Sequence, residues 1–155
     1  MKHLFFIAAL FISTIGFAQS NKEEVDLIQS LWGMEKKDIV AQFVKLDEAS
    51  KATFWKLYDE YEVERKTLGK ERITLLNKYA ENYLTLSDEM TNEIVGEMVS
   101  LGAKTDKLAA TYYGKIKKGV AIKPAAQFFQ LESYINSSLR AAILEGIPFI
   151  GELDN

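Results

Sequence analysis

The residues of this chain that could carry chemistry are few in type. Histidine occurs once, at His3, and there is no cysteine among the 155 residues. His3 falls in the N-terminal segment expected to be removed on export, so the mature chain has neither His nor Cys, and no thiolate nucleophile, Ser-His-Asp triad, haem histidine or His/Cys zinc site can be assembled in it. What remains is carboxylate, amine, guanidinium and phenol. The acidic run Asp59, Glu60, Glu62 and Glu64 is the densest group of carboxylates. A carboxylate metal site in a helical bundle needs inward Glu residues on several helices, ordinarily completed by Glu-x-x-His pairs. Here no His completes one, and Asp59, Glu60 and Glu62 flank Tyr58 and Tyr61 as a solvated face would. No glycine-rich phosphate loop is present either. The expectation is a protein that binds through its surface, with no catalytic residue, metal or cofactor.

Three groups suit binding. The first is aromatic: Phe54, Trp55, Tyr58, Tyr61, Tyr79 and Tyr83 on one helical stretch, with Tyr112 and Tyr113 on the next. Such a stripe either packs a core or lines a groove that holds apolar segments of another protein, and periodicity does not choose between the two. The second group is ionic. Arg65 and Arg72 interrupt the stripe, and Glu132 interrupts the apolar face of a later helix. A charge on an apolar face needs a partner, so Glu132 is expected to pair with Arg72 or Arg65 and fix helix register. The third group is basic: Lys104, Lys107, Lys115, Lys117, Lys118 and Lys123. It complements a helix end, or offers a docking surface for acidic segments or lipid headgroups.

The elements that must position these groups are helices. Both prolines, Pro124 and Pro148, lie late, so residues 1–123 contain no proline. Asn21 can cap a first helix, whose apolar residues run from Val25 to Trp32. Gly33 precedes a second apolar set at Ile39, Val40, Phe43 and Val44, which leaves one kinked helix or two short ones open. From Asp47 to Tyr83 the apolar positions step by threes and fours, through Phe54, Leu68 and Leu75, as in coiled-coil-like packing. Gly69 offers a place for a bend. Ser87-Asp88-Glu89 starts another helix, with Met90, Ile94, Met98, Leu101, Thr105, Leu108, Tyr112 and Ile116 on one face and a stop at Gly119. Residues 120–123 read as an extended link, and Pro124 opens a last helix lined by Ala125, Phe128, Phe129, Glu132, Ile135 and Leu139. The fold class is all-α, an elongated hairpin or bundle of about four helices, the second and third being long.

The N-terminal segment reads as an export signal. A basic start at Lys2 precedes a mainly apolar run from Leu4 to Phe17, and Gly16-Phe17-Ala18 supplies the small residues a signal peptidase reads. The run falls short of the roughly 20 residues that span a bilayer. Residues 1–18 are thus expected to be removed, leaving a single helical domain over 19–155, with no membrane span. Loss of Lys2 leaves 18 Lys+Arg against 22 Asp+Glu, a net charge of −4. That balance lacks the basic footprint of a nucleic-acid binder.

Leu46-Asp47-Glu48-Ala49-Ser50 and Leu86-Ser87-Asp88-Glu89-Met90 each join a leucine to a helix cap. Together with the export signal, the helical length and the absence of disulfides, these starts resemble the Spy/CpxP-like LTXXQ family of periplasmic helical proteins. The motif is met in its Leu and its capping residue; neither copy has the Gln. The resemblance implies a periplasmic, curved homodimer of helical hairpins whose concave face holds unfolded or stress-damaged proteins without ATP. Some relatives act instead as sensors or adaptors for one envelope partner. Client-binding members tend to have a basic concave face, whereas this chain is net acidic. Metal-sensing members use histidines, which the mature chain lacks.

Overall fold

The computed structural model describes residues 35–153. The expected signal peptide and the residues up to Met34, including Asn21, Trp32 and Gly33, lie outside the described residues. Within them the protein is all-α, with four helices and no strand: α1 Lys36–Phe43, α2 Glu48–Asn82, α3 Asp88–Gly119 and α4 Ile122–Gly146. A single 3-10 turn, Tyr83–Thr85, joins the two longest.

The long helices begin where their caps dictate. Asp47 accepts a hydrogen bond from the Ser50 backbone N–H at 2.8 Å, and Ser87 accepts one from Met90 N–H at 3.2 Å. Each side chain satisfies an amide that the helix itself cannot. α2 then runs unbroken through Gly69 for 35 residues, about 52 Å. α3 ends with Lys117 and Lys118 in its last turn, where cations meet the negative end of the helix dipole.

α2 and α3 form an antiparallel hairpin whose register is marked by cross-helix contacts. Tyr112 donates to Glu64, Lys104 meets Glu71 at 2.8 Å, and Lys78 meets Glu93 and Glu97 at 2.9 Å. As the α3 partner falls from Tyr112 through Lys104 to Glu97 and Glu93, the α2 partner rises from Glu64 through Glu71 to Lys78. α4 returns parallel to α2, so Tyr61 lies opposite Glu132 and Tyr79 opposite Pro148.

The apolar faces close into two cores. One lies at the α1 end and joins Ile39, Val40, Phe54, Tyr58, Tyr61, Tyr112, Ile116 and Phe128. Its rings pack edge to face: Phe128 stands 5.1 Å from Tyr61 and 6.4 Å from Tyr58, at 87° and 86°. That is the preferred aromatic geometry. The second core, at the hairpin turn, joins Leu75, Tyr79, Tyr83, Ile94 and Leu101.

Two local expectations are corrected. Residues 120–123 are not an extended link, because Ile122 and Lys123 already belong to α4. Pro124 occupies its third position, where a missing N–H still costs nothing, since the first four helical amides have no internal acceptor. Phe129, read as part of the buried face, is 40% exposed. It lies one residue around the helix from Phe128, which takes the central core position.

Candidate functional site

The aromatic stripe is core. Phe54, Tyr58, Tyr61, Tyr79, Tyr83 and Tyr112 are all buried, so they are not the protein-binding groove that the sequence left open. The physical reason is coverage: α4 and α1 close over the face of the α2–α3 hairpin that a bare hairpin would expose. Trp55 and Tyr113 stay partly open at the edge of the same core. Lys37 stands 5.2 Å from the Trp55 ring centroid and pairs with Asp59 at 2.7 Å.

Beneath α1 lies a buried charge cluster. Glu132 is wholly buried; its Oε2 accepts a hydrogen bond from the Tyr61 hydroxyl at 2.7 Å. Lys36 Nζ stands 2.8 Å from Oε1, in ion contact but out of hydrogen-bond alignment. The same ammonium donates to Glu62 at 2.5 Å, and Arg65 Nε donates to Glu62 at 2.9 Å. Lys36 also faces the rings of Tyr61 and Tyr58, at 4.9 and 5.6 Å from their centroids. Burial opposes ionisation of Glu62, yet the adjacent Lys36 and Arg65 outweigh it and hold its carboxyl below the ordinary 4.5. Burial, reinforced by Glu132, keeps the Tyr61 phenol protonated far above neutral pH, and burial with Glu62 does the same for Tyr58. The Tyr58 hydroxyl has no hydrogen-bond partner among the described residues.

Of the two partners expected for Glu132, Arg72 or Arg65, the first is therefore corrected: the carboxylate is met by Lys36 and Tyr61, and Arg65 joins the same cluster through Glu62. Since Tyr61 marks the level of Glu132, Arg72 lies eleven residues, about 16 Å, further along α2. There it lines a cleft with Asn136 and Arg140. Lys36 escaped notice because its partners lie 26 and 96 residues away. Its spacing before Ile39 and Val40, which puts all three on one face of α1, is the signal that could have found it.

Outside the core, α3 and α4 share a surface that mixes aromatic and basic groups. Tyr113 and Phe129 pack ring against ring at 5.8 Å, with Lys117 6.0 Å from the Tyr113 centroid. On the neighbouring residue, the Lys115 ammonium lies over the ring of buried Tyr112, 3.9 Å from its centroid. Lys118 and Lys123 are exposed nearby in sequence, and Tyr134 is exposed further along α4. At the other end of the bundle, Tyr79 and Tyr83 donate hydrogen bonds to the carbonyls of Pro148 and Phe149 at 2.8 and 2.9 Å. The Leu153 amide donates to the Tyr83 oxygen at 3.1 Å. The side chains of Phe149, Ile150 and Leu153 on this strap are exposed, as is Leu84, next to Tyr83 in sequence.

No group of three or more His, Cys, Asp or Glu side chains among the described residues is arranged to hold a metal. No described helix is long and apolar enough to cross a membrane. Comparison with known proteins adds no relative: no family model, curated protein or solved structure matches this chain.

Proposed function

We propose that the protein is an exported, periplasmic chaperone-like or envelope-stress protein that binds unfolded proteins through its helical surface without ATP. The observation that carries this reading is the partly exposed Tyr113–Phe129 pair with Lys117 beside it, on a helix end that also bears the exposed Lys115 and Lys118. Exposed rings beside cations take apolar and acidic segments of a non-native chain through many weak contacts, none requiring a fixed partner shape. Val63, Val95, Val99, Ile122 and Tyr134 add further exposed apolar side chains on otherwise polar helices. The export signal and the Leu-cap helix starts support the compartment and the resemblance to Spy/CpxP-like proteins, which also implies a homodimer.

A second reading is an interaction module for one dedicated envelope partner. The exposed apolar side chains Phe149, Ile150 and Leu153 on the strap, with Leu84 at the hairpin turn, favour it, because large apolar groups left exposed in one region commonly mark a specific contact. The test is suppression of aggregation, using the mature protein and several unrelated unfolding substrates at near-stoichiometric ratios. General suppression that falls when Tyr113 and Phe129 are both replaced by Ser supports the first reading. No effect on any substrate, with one partner recovered and lost on Phe149→Ser, replaces it with the second.

A further inference from the structure

We infer that the cleft between the second half of α2, the middle of α3 and the end of α4 is a binding site for a single-chain carboxylate amphiphile of the fatty-acid class. Up to Leu139, α4 contributes buried residues to the core; beyond it, Ile143 is only half-buried and Leu144 is 45% exposed. The space so left has a volume of about 550 Å³. This falls within the range of small-molecule sites, and it is lined as such sites are, by apolar walls with a few polar groups. Leu76, Met98, Val99, Ile143 and Leu144 make the walls.

The polar groups are biased in charge. Arg72 and Arg140 line the cleft against the single carboxylate of Asp106, beside the neutral Asn136. Arg140 is exposed and lies against Gly102 of α3, its Nη2 being 3.7 Å from where a Cβ on that glycine would sit. A side chain longer than Ala there would compete with the guanidinium for the same space. The guanidinium fork matches a carboxylate in geometry and charge, and an arginine at a predominantly apolar cleft is suited to an anionic head with an apolar tail. A neutral lipid would leave that charge complementarity unused, and a polyanion would gain nothing from the walls. The site is separate from the Tyr113–Phe129 surface, so it stands or falls independently of the chaperone-like reading.

The test is a titration of the mature protein with octanoate, decanoate and dodecanoate below their micelle concentrations, and with methyl dodecanoate, followed by calorimetry. Saturable binding at one site is expected, with affinity rising about fourfold per added CH₂ until the cleft is filled. Dodecanoate should bind at least tenfold more tightly than its methyl ester. Arg140→Gln should erase that preference while leaving ester binding unchanged, a result that loss of folding could not produce. Gly102→Leu should weaken the whole series, with unchanged helical circular dichroism. Absence of saturable binding across the series, affinity independent of chain length, or a carboxylate preference that survives Arg140→Gln would overturn the inference.

Discussion

Replacing Lys36 by Met removes the cation from between two buried carboxylates while keeping most of the side chain's volume. In the native protein the ammonium is 2.5 Å from Glu62 and 2.8 Å from Glu132, and both carboxylates are largely or wholly buried. At an effective dielectric constant of about 20, one such contact has a gross attraction of about 6 kcal/mol. Much of this offsets the desolvation of the three charges, so the gross figure is not the cost of the substitution. The cost comes from what stays behind: Glu132 held by a phenol alone among the observed contacts, and Glu62 left with Arg65. Removing one partner of a buried pair costs about 3–5 kcal/mol, a large share of the 5–15 kcal/mol that stabilises a typical domain. Urea unfolding at pH 7 should show this loss. Lys36→Met combined with Glu132→Gln should recover a substantial part, because the neutral amide can still accept from Tyr61. Acid should also narrow the gap between variant and parent. Glu62 has a folded pKa below its ordinary 4.5, so its stabilising contribution is complete above that value and disappears as pH falls through the folded value. A loss under 1 kcal/mol at pH 7, or a double variant no more stable than Lys36→Met alone, would refute the view that Lys36 neutralises this cluster.

Phe128→Ala opens a cavity among Tyr58, Tyr61 and the α1 residues above them, and is expected to cost about 3–5 kcal/mol in thermal or urea unfolding. Ser87→Ala removes the cap of α3 and should cost about 1 kcal/mol by the same measurement. Tyr83→Phe removes the hydroxyl that contacts both the Phe149 carbonyl and the Leu153 amide. It should raise hydrogen exchange in residues 147–153 with little change at Phe54 or Phe128, since the strap lies at the opposite end from that core.

The helical stripes were legible because burial on a hairpin repeats every three or four residues. Ile94, Leu101, Leu108, Tyr112 and Ile116 are all buried as their spacing requires. The starts of α2 and α3 were equally plain, each written locally as a cap followed by acidic residues. The candidate surface was legible only in part. Tyr113 and the lysines of α3 were visible as a cluster, but Phe129 was assigned inward, since one residue's rotation on a helix changes its face by only 100°. The fate of Tyr58 and Tyr61 could not be read at all, because an apolar stripe looks the same whether another helix or solvent meets it.

Sequence alone determined the thiolate chemistry excluded by the absence of Cys, the all-α class, and the caps and stripes of the two long helices. These depend on residue inventory or on neighbours within one or two turns. Tertiary structure alone decided that the aromatic stripe is core, that Lys36 holds Glu132, and that a cleft with Arg140 at its side opens where α4 leaves the core. Each of those depends on which distant helix arrives at which height, and the contacts join residues 26 to 96 positions apart. Local periodicity fixes the face a residue occupies; only the docked partner fixes what that face meets.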